Sequence, residues 1–316
     1  MIKLPRHGTA SQGTSPEVVG PGTALAQVLR FYEREAHHDP SAAWRSFTTT
    51  WNWAAPLPAA LPTDHGLTIA RSVPGGFSLS GVWRMPWDAR HARWLAVPLV
   101  DHRQRPRTEA AKRGPDVFVL SSNALPRPHR TVDDTDTYDP TLPLDQVYVP
   151  GGFATSSAGT PLRSDDAAFV RTAVTAMALG SARRLTDALT ALDQQVAASP
   201  VVSAMSPAAA AAELAAVLHD ERLSLAVHLH GTSPGSPGAG PSPDGPLAAS
   251  TRRASHMVHE VVAAVYEYGA PFLGIEGHDS LVSLIESSTP VLQCMRFAVE
   301  LLPPGNAAST REGSAP

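Results

Sequence analysis

Four residues whose side chains could take part in chemistry crowd into one short stretch of the sequence, namely Trp87, Asp88, Arg90 and His91. An imidazole titrates near neutral pH, so His91 is the best candidate for a catalytic acid or base. A hydrogen-bonded structural histidine is the alternative. The indole of Trp87 could stack on a ligand, or it could pack in the core. The stretch 84–92, called the elbow below, therefore predicts a ligand site.

Two runs of residues that favour β-structure flank the elbow. The first run, Phe77–Trp83, follows a Gly75-Gly76 turn and alternates in polarity. The second run, Arg93–Val100, is rich in residues that suit a pleated surface. We expect a pair of strands joined by the elbow and set between helical segments.

Composition excludes several classes of function. The 316 residues are 43% hydrophobic and 17% charged, which is typical of a globular chain with a sizeable core. A net charge of −4 gives no reason to expect nucleic acid or an anionic membrane as a partner. The single Cys294 excludes an internal disulfide and any site with several cysteine ligands. With no apolar window of about 20 residues and no signal peptide, we expect a cytoplasmic protein.

The remaining histidines do not form a convincing metal site. His228 and His230 are two residues apart and do not share a helical face, whereas His256 and His259 do. Neither pair is accompanied by a cluster of carboxylates, so we expect no metal. Hydrolase chemistry also lacks support, because the sequence contains no G-x-S-x-G motif.

The order of the sequence patterns predicts an α+β fold. It consists of a short N-terminal helical segment, a small central β domain and a C-terminal antiparallel four-helix bundle. We divide the chain into a disordered tail (1–21), a shortened helical segment (22–66), the β domain (67–150), the bundle (151–304, with a flexible linker at 231–246) and a second disordered tail (305–316).

Local signals give further expectations for the helices. Asp39-Pro40-Ser41 predicts a helix start capped by Asp39 or Ser41, and the helix should run towards Trp51 and Trp53. We expect these two tryptophans and Trp44 to pack in the core.

Further expectations concern the second half of the chain. The last strand of the β domain is predicted at Gln146–Pro150, with helical structure directly after Gly151-Gly152. Asp165-Asp166 should place negative charge at a helix start. Pro290 should kink or divide the last helix.

Six short motifs occur in a fixed order along residues 39–302. They are Asp39–Trp44 (DPSAAW), Gly75–Trp83 (GGFSLSGVW), Arg90–Trp94 (RHARW), Val147–Pro150 (VYVP), Ala178–Arg184 (ALGSARR) and Pro290–Arg296 (PVLQCMR). Together they resemble the acyl-CoA dehydrogenase superfamily, and most closely its hydroxylase branch, the flavin-dependent two-component monooxygenases.

The resemblance implies a cofactor and an assembly. FAD or FMN would lie between the β domain and the bundle, and a homodimer or homotetramer would form through the C-terminal helices. The family's ring-binding motif matches Met85–Asp88, so Met85, Trp87 and Asp88 become candidate cofactor-binding residues. Arg296 would suit an anionic group of the cofactor, with a structural ion pair as its alternative.

The chain also departs from the family pattern. Its N-terminal helical segment is short, and Trp87 and Asp88 replace small residues beside the ring. A carboxylate at Asp88 would repel the anionic reduced flavin. The Arg-Asp pair expected after Arg296 is absent, and no glutamate can be matched to the dehydrogenase base.

Two functions therefore stay open. The first is an acyl-CoA dehydrogenase-like flavoprotein, an oxidoreductase or hydroxylase acting on a small organic or carrier-bound substrate, in specialised metabolism by analogy. The alternative is a flavin-free homologue, which would act as the accessory subunit of a partner enzyme in a hetero-oligomer or catalyse a redox-neutral step.

Overall fold

A computed structural model of the chain describes residues 19–63, 68–85, 92–99, 114–121, 125, 141–196, 207–231, 246–269 and 279–300. The helices in these ranges are α1 (Leu25–His38), α2 (Pro40–Thr50), α3 (Ala167–Val196), α4 (Pro207–Gly231), α5 (Pro246–Gly269) and α6 (Asp279–Glu300). The strands are β1 (Trp51–Asn52), β2 (Leu61–Pro62), β3 (Ile69–Val73), β4 (Gly76–Arg84), β5 (Trp94–Pro98), β6 (Val117–Ser121), β7 (Thr141–Pro150), β8 (Ala154–Thr155) and β9 (Thr160–Pro161).

The fold class predicted from the sequence is confirmed by this order of elements. Two helices precede the strands and four long helices follow them, which is the order that the sequence predicts. Side-chain contacts show that α4 and α5 run antiparallel. Arg253 on α5 pairs with Glu221 on α4 at 3.1 Å, and Ser250, earlier on α5, lies 3.0 Å from His228, later on α4.

The strands are divided between separate sheets, and the expected pairing of β4 with β5 is wrong. Strand β4 pairs with β7 along one edge and with β3 and β2 along the other. A strand has only two edges for pairing, so β4 has none left for β5. Strand β5 instead pairs with β6, which in turn pairs with β8. The elbow therefore connects two sheets.

The last strand of the main sheet is longer than predicted. Strand β7 begins at Thr141, five residues before the expected start at Gln146. Its inward residues are Leu142 and Leu144 at first and then Val149, so the alternation changes phase within the strand. An irregular step in the pairing with β4 and a positive φ of 51° at Gln146 cause that change. The alternation of buried and exposed residues is interrupted at this step, so the sequence pattern alone did not reveal the first half of β7.

The expectation of helical structure directly after Gly151-Gly152 is also wrong. Residues 151–153 form a single 3₁₀ turn, and strands β8 and β9 follow before α3 begins at Ala167. Short strands of two residues carry no periodicity that a sequence could reveal. Asp166 does stand at the helix start, where its carboxylate accepts the backbone N–H of Arg163 at 2.8 Å.

The N-terminal helices largely follow their local signals. Asp39 caps α2, since its carboxylate accepts the Ala42 N–H at 2.9 Å. The helix stops at Thr50 because Trp51–Asn52 pairs in parallel with Thr160–Pro161. The expectation of core packing is confirmed, because the three tryptophans at 44, 51 and 53 are all buried.

Pro290 does not divide the last helix, which continues on both sides of it. In the helical turn before Pro290, two side-chain hydroxyl groups donate hydrogen bonds to backbone carbonyls. Ser288 donates to the Leu284 carbonyl and Thr289 to the Ile285 carbonyl, each at 2.8 Å. Within the described chain, no helix combines the length and the apolar character needed to cross a membrane.

Helix α3 is the centre of the helical part. It packs against each of the other five helices, and residues 169–182 are all buried. At Gly180 the backbone of α1 comes so close that a Cβ would overlap the Glu33 carbonyl. The buried carboxylate of Glu33 is paired with Arg183 at 2.7 Å and with Arg222 at 2.6 Å, which fastens α1 to both α3 and α4.

Replacing Gly180 with Ala should destabilise the protein. Overlap with a backbone carbonyl costs about 1–3 kcal/mol or more, which exceeds the ~1 kcal/mol that Ala gains over Gly in a helix. Urea unfolding should therefore show a clear loss of stability. Gly22→Ala is the matched control, because no atom lies within 4 Å of a Cβ at that position. Equal stability of the two variants would contradict the close helix contact.

A second prediction concerns Tyr32, whose buried hydroxyl accepts the Trp51 indole N–H at 3.2 Å. Burial, opposed in part by this hydrogen bond, raises the pKa of Tyr32 from 10.0 to about 12. The neutral phenol therefore stabilises the fold fully below pH 10, and this contribution is lost as the pH rises towards 12. Tyr32→Phe should cost about 1 kcal/mol at neutral pH and should flatten the decline of unfolding free energy above pH 10.

The control for this prediction is Tyr148→Phe, since Tyr148 is exposed. Urea unfolding at several pH values between 8 and 12 would measure both variants. The loss of unfolding free energy above pH 10 is assigned to Tyr32. This assignment would be contradicted if the loss disappeared in Tyr148→Phe but persisted in Tyr32→Phe.

Candidate functional site

The elbow begins at one hydrophobic core and ends at another. The β core is built around Leu79, Trp83 and Phe118, and Met85 at the start of the elbow packs against it. The larger core belongs mainly to the helices, and Trp94, just past the elbow, packs against that one. The flanks of the elbow therefore stand on the two sides of the boundary between the β domain and the bundle.

The predicted site residues are only partly described. Met85 is half-buried at the rim of the β core. Trp87, Asp88 and His91 lie outside the described residues, so their roles stay predictions. Arg296 is on α6, two residues beyond the buried Cys294, but its side chain lies outside the description.

The 3₁₀ turn 151–153, called the seam turn below, joins the β domain to the bundle. On one side the Gly151 N–H donates to the Gly75 carbonyl at 3.0 Å. On the other side the Gly152 N–H donates to the Gln293 side-chain carbonyl on α6, also at 3.0 Å. A Cβ on Gly152 would overlap the Pro290 carbonyl and lie 2.9 Å from the Cys294 nitrogen. Glycine is required here because two backbones meet.

The third residue of the seam turn connects it to the elbow. Phe153 packs against both hydrophobic cores. Its ring stacks on Trp94, with the two planes 6° apart and the centroids separated by 5.7 Å. Because α6 holds the seam turn and the seam turn holds Trp94, α6 fixes the point where the chain leaves the elbow.

Replacing Gln293 with Leu should loosen this connection. The variant leaves the Gly152 N–H without its acceptor, and an unpaired buried donor costs about 1–3 kcal/mol. Burial strongly raises the pKa of the neighbouring Cys294 thiol, so the native protein should hardly react with a thiol reagent. In Gln293→Leu the labelling rate of Cys294 should rise, and unfolding free energy should fall.

Gln27 supplies the control, because it is exposed on α1 and far from the seam turn in the chain. Gln27→Leu should leave both labelling and stability unchanged. The role given to Gln293 would be contradicted if Cys294 were labelled faster in Gln27→Leu, or if its labelling rate did not increase in Gln293→Leu.

A buried arginine was missed in the sequence analysis. Arg171 lies in the first two turns of α3, the end that leaves the β domain, and is only 6% exposed. Its burial, and secondly the charge of Arg252 on α5, lower its pKa. The available signal was a charged residue within an otherwise apolar run, AAFVRTAVTAMALG.

Two of the described histidines outside the elbow are bonded within the bundle. His228 contacts the Ser224 carbonyl and the Ser250 hydroxyl, which links α4 to α5. His256 pairs with Glu260 on the surface of α5 at 3.2 Å. In the part of the chain that the structure describes, His, Cys, Asp and Glu residues form no group of three that could hold a metal ion.

Where the two cores meet, Trp94 and Phe153 form a stacked aromatic pair. Aromatic side chains suit the flat ring of a flavin.

No protein-family model matches the sequence, and no curated protein matches it. Several solved structures are similar. The 3-HSA hydroxylase from Rhodococcus sp. RHA1 is 14% identical with a TM-score of 0.41, covering 88% of this chain and 80% of that one. The nitroalkane oxidase of Podospora anserina is 17% identical with a TM-score of 0.40, covering 90% and 78%. The butyryl-CoA dehydrogenase from Megasphaera elsdenii is 14% identical with a TM-score of 0.36, covering 88% and 82%. Because these sequence identities and TM-scores are low, the fold assignment rests on the order of elements described above.

Proposed function

We propose that this chain is a flavin-dependent oxidoreductase of the acyl-CoA dehydrogenase type, a dehydrogenase or hydroxylase acting on a small organic or carrier-bound substrate. The observation that supports this most directly is the position of the two flanks of the elbow. Met85 packs on the β core and Trp94 on the helical core, and the resembled family binds its flavin between its β domain and its bundle. When bound, FAD or FMN would supply the transfer of an electron pair.

Each site residue has a proposed role. Met85 and Trp87 would contact the flavin ring, and Arg296 would pair with an anionic part of the cofactor. His91 would hold or accept a proton of the substrate.

An oligomer belongs to the proposal. Leu223 and Val227 lie one turn apart on α4 and are 45% and 69% exposed. Large apolar side chains at helical spacing on an outer face favour contact with another subunit. We propose a homodimer or homotetramer through the bundle, in the cytoplasm.

The second candidate is a flavin-free homologue that serves as an accessory subunit or catalyses a redox-neutral step. It is favoured by the small helical cover, since only α1 and α2 precede the strands in the described chain. The presence of Trp87 and Asp88 in place of small residues favours it as well.

Titration with FAD and FMN separates the two candidates. The purified protein should bind one of them at close to one equivalent per chain, with a visible absorption band that shifts on binding. Gel filtration in the same buffer provides the control for an intact oligomer. An intact oligomer that binds neither flavin would favour the accessory or redox-neutral function and reject the flavoprotein.

A further inference from the structure

Helix α4 turns an apolar side to the outside of the bundle. Its exposed residues include Leu223 and Val227 together with four alanines, Ala209, Ala212, Ala215 and Ala216. Helix α1 also has an outer side, and there the exposed residues are all polar, namely Gln27, Arg30, Arg34 and His38. A helix that is apolar on all sides is normally buried. The outer side of α4 is therefore expected to be covered by something other than water.

The way in which α4 is turned within the bundle points to the same conclusion. Two neighbouring charged residues face other helices, since Glu221 pairs with Arg253 on α5 at 3.1 Å and Arg222 pairs with Glu33 on α1 at 2.6 Å. Leu223 follows directly and is exposed. A helix whose charged side chains are spent on its own bundle, while large apolar ones stay outside, presents a surface for another protein.

The outward residues of α4 form one continuous stripe, called the α4 stripe below, which consists of Ala212, Ala216, His219, Leu223 and Val227. At 100° per residue these positions fall within about 80° of the helix circumference and extend over about 22 Å. One half of the stripe carries only alanine, and the other half carries the two large side chains. The stripe is therefore flat at one end and raised at the other.

Exposed charges beside the α4 stripe differ between its two ends. Arg253 on α5 is half-exposed and, through its contact with Glu221, lies beside the raised end. Glu260 is seven residues further along α5, and because α5 runs antiparallel to α4 it lies beside the flat end. Glu213 on α4 is exposed at that end as well. The raised end thus has a positive neighbour and the flat end has negative ones.

We propose that a second copy of this chain covers the α4 stripe, with the two α4 helices antiparallel around a two-fold axis near His219. Leu223 of each copy then packs on the partner's Ala216, and Val227 packs on the partner's Ala212. A two-fold axis repeats each contact, so a surface that is raised at one end and flat at the other fits a copy of itself. The interface deepens the proposed function and rests on it only for the existence of a homo-oligomer.

The charges agree with the antiparallel arrangement. It brings Arg253 of each copy to the end of the partner that carries Glu213 and Glu260, and opposite charges across an interface fix its register. A parallel pair would set each raised end against the other raised end, would hold the alanine halves apart, and would leave the arginine and the glutamates at opposite ends. Shape and charge therefore favour the same orientation.

The first experiment measures the mass of the full chain by sedimentation at several concentrations. In Leu223→Glu the mass of the wild-type oligomer should halve. Each interface buries this leucine twice, so the dissociation constant should rise about 100-fold or more. Val227→Glu should act in the same way. Val282→Glu is the control, because it changes an exposed apolar residue on α6 and should keep the wild-type mass.

Circular dichroism should show the same helix content in these three variants and in the wild type. A wild-type chain that is monomeric would overturn the proposal and leave the stripe to a different protein. An oligomer that persists in both Leu223→Glu and Val227→Glu would overturn it too.

The second experiment tests the orientation with engineered cysteines. A disulfide requires two Cα atoms within about 7 Å of each other. In the antiparallel pair, a mixture of Ala216→Cys and Leu223→Cys proteins should form a covalent dimer under oxidising conditions. Each variant alone should not, since identical positions lie about 10 Å apart along the helices. The native Cys294 is buried and should not interfere. Cross-linking of each variant alone, without cross-linking in the mixture, would overturn the antiparallel arrangement.

The outcomes also separate this interface from the flavin proposal. An oligomer that depends on Leu223 but binds neither FAD nor FMN would support the interface and reject the flavoprotein. A monomer that binds one of the two flavins would support the flavoprotein and reject the interface.

Discussion

The central constraint in this protein is that α3 has no face towards water over residues 169–182, because the other five described helices surround it. Each of these helices must therefore pack against a different part of the α3 surface. Helix α1 can approach because Gly180 has no side chain, and the ion pairs of Glu33 then hold it in place. Arg184 completes the contact by donating to the His37 carbonyl at 2.9 Å at the end of α1. The ALGSARR motif is therefore a packing motif, and it signals the fold rather than the chemistry.

Backbone contact also fixes the second boundary, between the bundle and the β domain. Gly75 and Gly151 bond to each other, and Gly152 lies directly on α6. Such contacts depend on the absence of side chains and hardly at all on the residues of the elbow. This explains how the frame can persist while Met85–Asp88 differs from the residues that the resembled family places beside its cofactor. Because glycines hold the two parts together, the residues of the elbow are free to change.

Buried polar residues of two kinds follow from these constraints. Glu33 is satisfied by two arginines from two helices, and a buried carboxylate needs such partners. It therefore serves the architecture. Thr172 and Thr175 have no partner in the described chain, and Arg171 stands beside them with a pKa that its burial lowers.

The sequence by itself determined the order of helical and β parts, the Asp39 cap, the tryptophan core and the helices of the bundle, because these depend on local patterns and apolar periodicity. It could not determine the partner of β4, since both edges of that strand are taken by distant segments. The early start of β7 was hidden by an irregular step in its pairing, and β8 and β9 were too short for any pattern. The sequence pointed to the elbow, but only the tertiary structure set its two flanks on opposite cores. It also showed the burial of Arg171, Thr172 and Thr175, because burial is a property of packing that no run of residues contains.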